Sequence, residues 1–168
     1  SIEGGIPKVF EGEVGLGASG INEGPNLGND VFISGTVGAA LQGFFYGLPA
    51  LAVSVGSLRN LHFEPAAKLA ALLAQKIAAG ILPQPLLLNV NLPNLALPEI
   101  KGIEITRLGS RTYADIVREG YDGRRKYYWI VRGRPHWHLE PGTDRWALKQ
   151  DRISITPLQR NLTDCSPT

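Results

Sequence analysis

The residues best suited to chemistry lie between Asn22 and Thr36, in a stretch rich in glycine, amide and hydroxyl side chains. Ser34, Gly35 and Thr36 stand where a helical pattern begins. Main-chain N–H groups without intrahelical partners and the positive end of a helix dipole converge at such a position. Gly35 would let an anion approach the main chain, and the two hydroxyls would add donors. The pattern therefore predicts a phosphate-binding cradle at positions 34–36.

Simpler interpretations of these residue types remain open. Ser and Thr cap helices in many proteins, and a loop asparagine such as Asn22 or Asn26 often bonds its own backbone. Asp30 could ligate a metal ion or be an exposed loop carboxylate. Asp144 could act in catalysis, or it could complete the cap of a helix that begins at Thr143.

Hydrophobic spacing predicts the elements that carry this stretch. In chain order they are strand Val14–Ile21, a helix after Ser34, strand Ala50–Val55, helix Glu64–Ala79 and strand Leu86–Leu92. The predicted inward residues are Val37, Ala40, Leu41, Phe44 and Phe45 in the first helix and Leu69, Leu72, Leu73 and Ile77 in the second. This alternation predicts a doubly wound α/β fold with a mainly parallel, Rossmann-like sheet, which binds ligands where its strands end.

The pattern changes after residue 100 to short alternating segments with charged turns. The predicted elements there are hairpin strands Ile103–Leu108 and Lys126–Val131, a short helix from Thr143 through Leu148, and a final strand Arg152–Thr156. We expect residues 1–100 to form a partial Rossmann-like core and residues 101–168 a β-hairpin extension of the same structural unit. Three parallel strands are few for such a sheet, so we expect it to be incomplete at the N-terminus.

Composition argues against several classes of protein. The 168 residues, 43% of them hydrophobic, suffice for one core. Lys and Arg number 17 against 15 Asp and Glu, a balance that predicts no nucleic-acid or membrane partner. Cys165 is the only cysteine, which excludes a thiolate zinc site. Because there is no signal-peptide pattern and no apolar run near the roughly 20 residues of a membrane span, we expect a cytoplasmic protein.

An ordered series of motifs covers the chain from about Ser19 to Asp164. The motifs are SGINEGPNLGND, SGTVGAA, GLP, HFEPAAKLA, LLLNVNLP, YYWI and GTDRWALKQDRISITPL. Each motif alone is weak, but the set in this order resembles the SurE family of nucleotidases.

The resemblance implies a divalent-metal-dependent phosphatase that hydrolyses nucleoside 5′- and 3′-monophosphates to nucleoside and phosphate, with Mg²⁺ or Mn²⁺ as cofactor. It implies that Asn22 ligates the metal, and that Asn26, Ser34, Gly35 and Thr36 bind the phosphate, with Asn26 and Ser34 as catalytic residues. It also implies a homodimer or homotetramer in which the subunits exchange a C-terminal segment, here about 103–158.

One part of the family pattern is absent. The family's other metal ligands are a paired Asp-Asp in an NDDG motif and a later Ser, both upstream of this sequence, and no Asp-Asp pair occurs in the 168 residues. Asn22 would then be this chain's only metal ligand, and one neutral amide cannot hold a hard cation. We expect a shortened form of an active enzyme; the alternative is a catalytically inactive oligomerising or phosphate-binding fragment.

Three further clusters have competing interpretations. Basic residues around one predicted hairpin could bind nucleic acid or form a solvated face: Arg124, Arg125, Lys126, Arg132 and Arg134. His136 and His138 lie two residues apart and could share a strand face in a weak metal site. The aromatic run 127–129 could stack on a base or pack within the hairpin.

Overall fold

A five-stranded mixed sheet forms the centre of the fold. The structure, a computed structural model, describes residues 14–112, 115–132, 136–137 and 139–161. Its strands are β1 (Gly17–Glu23), β2 (Ala50–Val55), β3 (Leu87–Leu92), β4 (Ile103–Ile105), β5 (Arg111–Thr112), β6 (Asp115–Tyr121), β7 (Lys126–Arg132), β8 (His136–Trp137) and β9 (Ile153–Pro157). Its α-helices are α1 (Gly35–Phe45), α2 (Phe63–Ala78) and α3 (Asp144–Lys149), and short 3-10 segments lie at Gly28–Ile33 and Leu97–Glu99.

The strand order in the central sheet is β1-β2-β3-β9-β4. Strands β1, β2 and β3 run parallel, β9 runs antiparallel to β3, and β4 pairs in parallel with β9. Every residue of β2 and β3 is buried, as expected where helices cover both faces of a sheet. The predicted α/β class with a mainly parallel sheet is confirmed.

The helices α1 and α2 pack on opposite faces of the sheet, so alternate strand residues point toward each helix. An apolar cluster between α2 and the sheet includes Leu51, Val53, Leu69, Leu73, Ile77, Leu88 and Val90. A second apolar cluster, between α1 and the other face of the sheet, consists of Val31, Val37, Ala40, Ala50, Ala52 and Leu87. The prediction of an inward position is wrong for two residues, Phe45 and Leu72, which are 55% and 47% exposed. Each lies at the margin of the apolar stripe of its helix. None of the helices in the described ranges is long and apolar enough to cross a bilayer.

The sequence pattern predicts a hairpin strand over Ile103–Leu108, and this prediction is wrong. The first three residues of the segment form β4, which joins the central sheet beside β9. The hairpin strand β7 pairs instead with β6, over the segment Asp115–Tyr121. The C-terminal part of the chain therefore supplies two strands of the central sheet as well as a hairpin.

Gly20 in the SGIN motif occupies a position that only glycine fits. Its φ is +130°, a region that side-chain-bearing residues rarely adopt. A Cβ placed there would lie 2.3 Å from the main-chain oxygen of Val53 on the neighbouring strand. The β1–β2 pairing also shifts register between Ser19 and Asn22. The glycine thus allows β1 to bend so that Asn22 ends at the carboxyl edge of the sheet.

The hairpin β6–β7 carries a high proportion of exposed apolar side chains. Val117, Tyr121, Tyr128 and Trp129 are each 62% to 66% exposed. The rings of Tyr127 and Trp129 form an edge-to-face pair with centroids 6.1 Å apart. Because a two-stranded hairpin is only marginally stable in water, these side chains suit a contact with another surface.

Candidate functional site

The start of α1 is open to solvent, as an anion-binding helix terminus must be. Ser34 is the N-cap, with φ −77° and ψ 124°, and its Oγ accepts a hydrogen bond from the N–H of Val37 at 3.1 Å. The N–H groups of Gly35 and Thr36 have no intrahelical acceptor. Gly35 is exposed, and no atom lies within 4 Å of the place that a Cβ would take. Main-chain donors and the helix dipole therefore face accessible space.

Asn22 lies directly beside this helix start. The Thr36 hydroxyl donates to Oδ1 of Asn22 at 3.1 Å. The Asn22 amide nitrogen donates to the main-chain oxygens of Glu23 at 3.1 Å and Gly24 at 2.8 Å. The side chain thus bonds its own backbone through nitrogen while its oxygen faces α1. The hydroxyl proton of Thr36 is used on Asn22, so the donors left for an anion are the main-chain N–H groups and the Ser34 hydroxyl.

Asn26 is fixed from beneath by side chains of the sheet. It is 9% exposed. Its N–H donates to Oδ1 of Asn91 at 2.8 Å, and its Nδ2 donates to Oγ of Ser54 at 2.7 Å. Its carbonyl accepts from Nδ2 of Asn89 at 2.8 Å and from Nδ2 of Asn91 at 3.1 Å. Among the described residues no hydrogen bond joins Asn26 to positions 34–36.

Asp144 ties the loop that follows Asn26 to the C-terminal part of the fold. The side chain is fully buried. Its Oδ2 accepts from the N–H of Gly28 at 2.7 Å, and its Oδ1 accepts from the N–H groups of Gly109 at 2.9 Å and Arg145 at 2.7 Å. Thr143 is the N-cap of α3, as predicted. Asp144 does more than complete that cap, because its oxygens join three segments distant in sequence.

A cleft of about 520 Å³ lies beside α1. Its lining includes Ser34, Val37 and Leu41, together with Leu108 and Leu158 from the C-terminal part of the chain. No atom lies within 4 Å of a Cβ built on Gly38, which also lines the cleft. The cleft is mainly apolar and adjoins the helix start, an arrangement typical of small-molecule sites.

The described residues do not form a complete site for a divalent cation. Within the described ranges, no three His, Cys, Asp or Glu side chains converge in a metal-binding group. Asn22 contributes one amide oxygen, which already accepts from Thr36. Mg²⁺ and Mn²⁺ require several oxygen ligands, with carboxylates among the preferred ones. The residues present here do not by themselves fit such an ion.

The basic cluster at the hairpin turn is partly engaged in local contacts. Lys126 forms an ion pair with Glu119 at 2.6 Å. Hydrogen bonds from the N–H groups of Arg125 and Arg124 to Asp122 lower the pKa of that carboxyl. Arg134 and His138 lie outside the described residues. These contacts stabilise the turn through two main-chain donors and one ion pair.

Sequence reasoning missed the buried polar residues that support the loop. Asn89 and Asn91 lie in the predicted strand Leu86–Leu92, and both side chains are fully buried. Ser54 on β2 and Ser154 on β9 are opposite Asn91 in the sheet register. The signal in the sequence was the alternation of LLNVNL on β3, which places both asparagines on one face.

Comparison with known proteins places these features in a family. The family model described as Survival protein SurE matches residues 2–115. A protein named 5′-nucleotidase SurE from Aquifex aeolicus (strain VF5) is 44% identical over 147 residues, which are 87% of this chain and 59% of that protein. Another of that name from Coxiella burnetii (strain RSA 493 / Nine Mile phase I) is 47% identical over 164 residues, 97% of this chain and 62% of that protein.

A solved structure is similar over nearly the whole chain. The crystal structure of the SurE protein from Aquifex aeolicus matches with a TM-score of 0.80 at 42% sequence identity, over 92% of this chain and 62% of that chain. The chain thus spans about 60% of the length of the relatives it matches.

Proposed function

We propose that this chain, which belongs to the SurE family, carries the phosphate-binding part of a phosphatase that hydrolyses nucleoside 5′- and 3′-monophosphates. The observation that carries the proposal is the open start of α1 directly beside Asn22. Relatives that are named 5′-nucleotidases at 44% and 47% identity support it. The family membership supplies the reaction class, and the helix start supplies a place for the phosphate.

The chemistry available to the chain's own residues is anion binding and charge stabilisation. The N–H groups of Gly35 and Thr36 and the hydroxyl of Ser34 would hold the phosphoryl oxygens. The same donors would stabilise the negative charge that develops on those oxygens while water attacks phosphorus. Ser34 and Asn26 remain the proposed catalytic residues. Asn26 is hydrogen-bonded to Asn91 and Ser54 of the central sheet.

The cleft beside α1 is the proposed site of the nucleoside. It shares Ser34 with the proposed phosphate site. Its volume of about 520 Å³ lies within the range typical of small-molecule sites, roughly 300–1,000 Å³. Its apolar walls could contact a flat base, because stacking and dispersion favour such surfaces for aromatic rings.

A divalent cation, Mg²⁺ or Mn²⁺, is proposed as the cofactor on the strength of the family alone. Asn22 would give it a single amide oxygen. The carboxylate ligands that such an ion prefers would have to come from outside the described residues. A cation would supply charge neutralisation at the phosphate, next to the donors of α1.

A homodimer or homotetramer is proposed, with exchange between subunits within the segment 103–158. Because β4 and β9 of this segment lie in the chain's own central sheet, the hairpin β6–β7 is the part proposed to be exchanged. The exposed Val117, Tyr121, Tyr128 and Trp129 support this proposal, since an isolated hairpin gains little from burial within its own chain. Light scattering should give a mass of two or four chains. Trp129→Ser should shift the population toward the monomer, and a monomeric wild type would contradict the proposal.

The phosphate site can be tested by removing a single main-chain donor. Gly35→Pro deletes one N–H at the first position of α1, where proline is well tolerated. The extended Ser34, with ψ 124°, suits a residue that precedes proline. Gly35→Ala is the matched control, because it adds a Cβ but keeps the N–H.

We expect Gly35→Pro to retain its thermal midpoint and to lose about 10²-fold or more in kcat for a nucleoside monophosphate, the loss typical of a removed oxyanion donor. Gly35→Ala should lose much less. Phosphate release would be measured with each variant. Equal activity in a folded Gly35→Pro protein would end the assignment of the helix start as the phosphate site.

A further inference from the structure

Asn89 is a buried amide that, within the described part of the chain, uses its nitrogen but not its oxygen for hydrogen bonding. The residue is fully buried. Its Nδ2 donates to the carbonyl of Asn26 at 2.8 Å, whereas its Oδ1 has no hydrogen-bond partner among the described residues. The amide orientation is fixed, since only nitrogen can donate to a carbonyl. A buried acceptor without a donor destabilises a fold.

The neighbours of Asn89 do not account for a polar side chain at this position. Its register partners are Ala52 on β2 and Thr156 on β9. The Thr156 hydroxyl bonds that of Thr106 at 2.7 Å instead of Asn89. A leucine has a similar branched shape and would carry no unsatisfied acceptor. Stability alone would therefore favour an apolar residue here.

What Asn89 does contact is the loop residue Asn26. The side-chain amide of Asn91 pairs with both the N–H and the carbonyl of Asn26, as the backbone of a neighbouring strand would. Asn89 adds a second donor to the same carbonyl, so both lone pairs of that oxygen are occupied. Ser54 holds the Asn26 side chain. Together these contacts fix the backbone and the amide of Asn26 against the sheet.

We propose that Asn89 is a positioning residue for phosphate binding: the fold tolerates its unsatisfied oxygen because its nitrogen orients the Asn26 carbonyl and so aligns the loop 24–33 that leads into α1. This inference rests on the proposed function of Asn26 and the helix start. It predicts that stability and ligand affinity respond in opposite directions when Asn89 is changed.

The test compares the variants Asn89→Leu and Asn89→Gln. Calorimetric titration with inorganic phosphate gives the affinity, and urea unfolding gives the stability. Asn89→Leu removes the unsatisfied oxygen together with the donor, so its unfolding midpoint should be unchanged or higher. Its Kd for phosphate should rise about three- to tenfold, the effect of one ordinary hydrogen bond. Asn89→Gln keeps a donor but overpacks the site, so it should be less stable and bind phosphate more tightly than Asn89→Leu.

Ser154→Ala is the matched control within the same buried polar layer. Ser154 is fully buried and bonds the Thr106 hydroxyl at 2.8 Å, with no described hydrogen bond to Asn26. This variant should lower the unfolding midpoint and leave the phosphate Kd unchanged. A merely structural role for Asn89 would instead make affinity follow stability across all three variants.

Each outcome decides a separate question. A wild-type protein that neither binds phosphate nor hydrolyses a nucleoside monophosphate would end the proposed function. If the wild type does both and Asn89→Leu binds phosphate equally well, only the role of Asn89 is overturned. An Asn89→Leu protein that does not fold would also overturn that role, because the unsatisfied oxygen would then not be the destabilising feature.

Discussion

Replacing Asp144 by asparagine should destabilise the protein severely, although the change is nearly isosteric. The carboxylate accepts three main-chain hydrogen bonds in a site without solvent, from Gly28, Gly109 and Arg145. Asparagine offers one oxygen and one NH₂ group. Whichever way the amide is turned, at least one buried N–H would face another donor.

The magnitude follows from the hydrogen bonds that an asparagine side chain cannot accept. A hydrogen bond to a charged acceptor contributes about 1.5–3 kcal/mol, and a buried donor left unsatisfied costs about 1–3 kcal/mol. Asp144→Asn should therefore lower the free energy of unfolding by roughly 3 to 5 kcal/mol, a large part of the 5–15 kcal/mol typical of a domain. With a urea m-value of about 2 kcal/mol/M, the midpoint would fall by roughly 2 M.

Urea unfolding, followed by far-UV circular dichroism, would measure the change. Asp151→Asn serves as the control at the other end of α3. Asp151 forms an exposed ion pair with Lys101 at 2.8 Å, and its φ of 58° is a conformation that asparagine accepts. Loss of such a pair should change stability by about 1 kcal/mol or less. Similar midpoints for Asp144→Asn and the wild type would refute the proposed tether between Gly28 and α3.

Three further predictions concern other parts of the molecule. Gly20→Ala should lower the free energy of unfolding by about 3 kcal/mol or more, because of its positive φ and the close strand carbonyl; Gly15→Ala, which meets no atom within 4 Å, should be nearly neutral in the same thermal melts. Gly38→Leu should fill the cleft and raise KM for a nucleoside monophosphate by roughly tenfold, while its turnover of p-nitrophenyl phosphate stays near that of the wild type. The exposed control Ala39→Leu should keep the wild-type KM. An unchanged KM in Gly38→Leu would exclude the cleft as the nucleoside site. The lowered pKa of Asp122 means that its contribution to stability is present above the unfolded-state pKa and is lost as pH falls through the lower folded-state value; an NMR titration that gives an ordinary aspartate pKa would contradict this.

Local pattern was enough to predict the order of the central elements. The buried runs at 50–55 and 87–92 are strands, and the apolar stripe after Ser34 is a helix whose N-cap is Ser34 itself. These features depend on periodicity and capping, which short stretches of sequence encode. The helix start at positions 34–36 was predictable for the same reason, since a helix terminus has a local signature, whereas its contact with Asn22 is seen only in the folded chain.

The supports of the site depend on distant contacts and could not be predicted in this way. Asp144 and Gly28 are 116 positions apart in sequence, and locally Asp144 looks only like a helix-start carboxylate. The three-residue strand β4 has an alternating, half-exposed pattern typical of a hairpin. Its partner β9 follows about fifty residues later, so only the assembled sheet shows where it belongs.

The alternation of apolar and amide side chains along β3 restricts how this strand can pair with its neighbours. Leu88 and Val90 face the apolar cluster beneath α2, while Asn89 and Asn91 face the opposite side. If this strand were misaligned by a single residue, two amides would be driven among leucines and a hydrocarbon side chain would meet the loop backbone. In the observed alignment the apolar side chains face the cluster and both amide nitrogens reach the carbonyl of Asn26, so a shift of one residue would lose both sets of contacts.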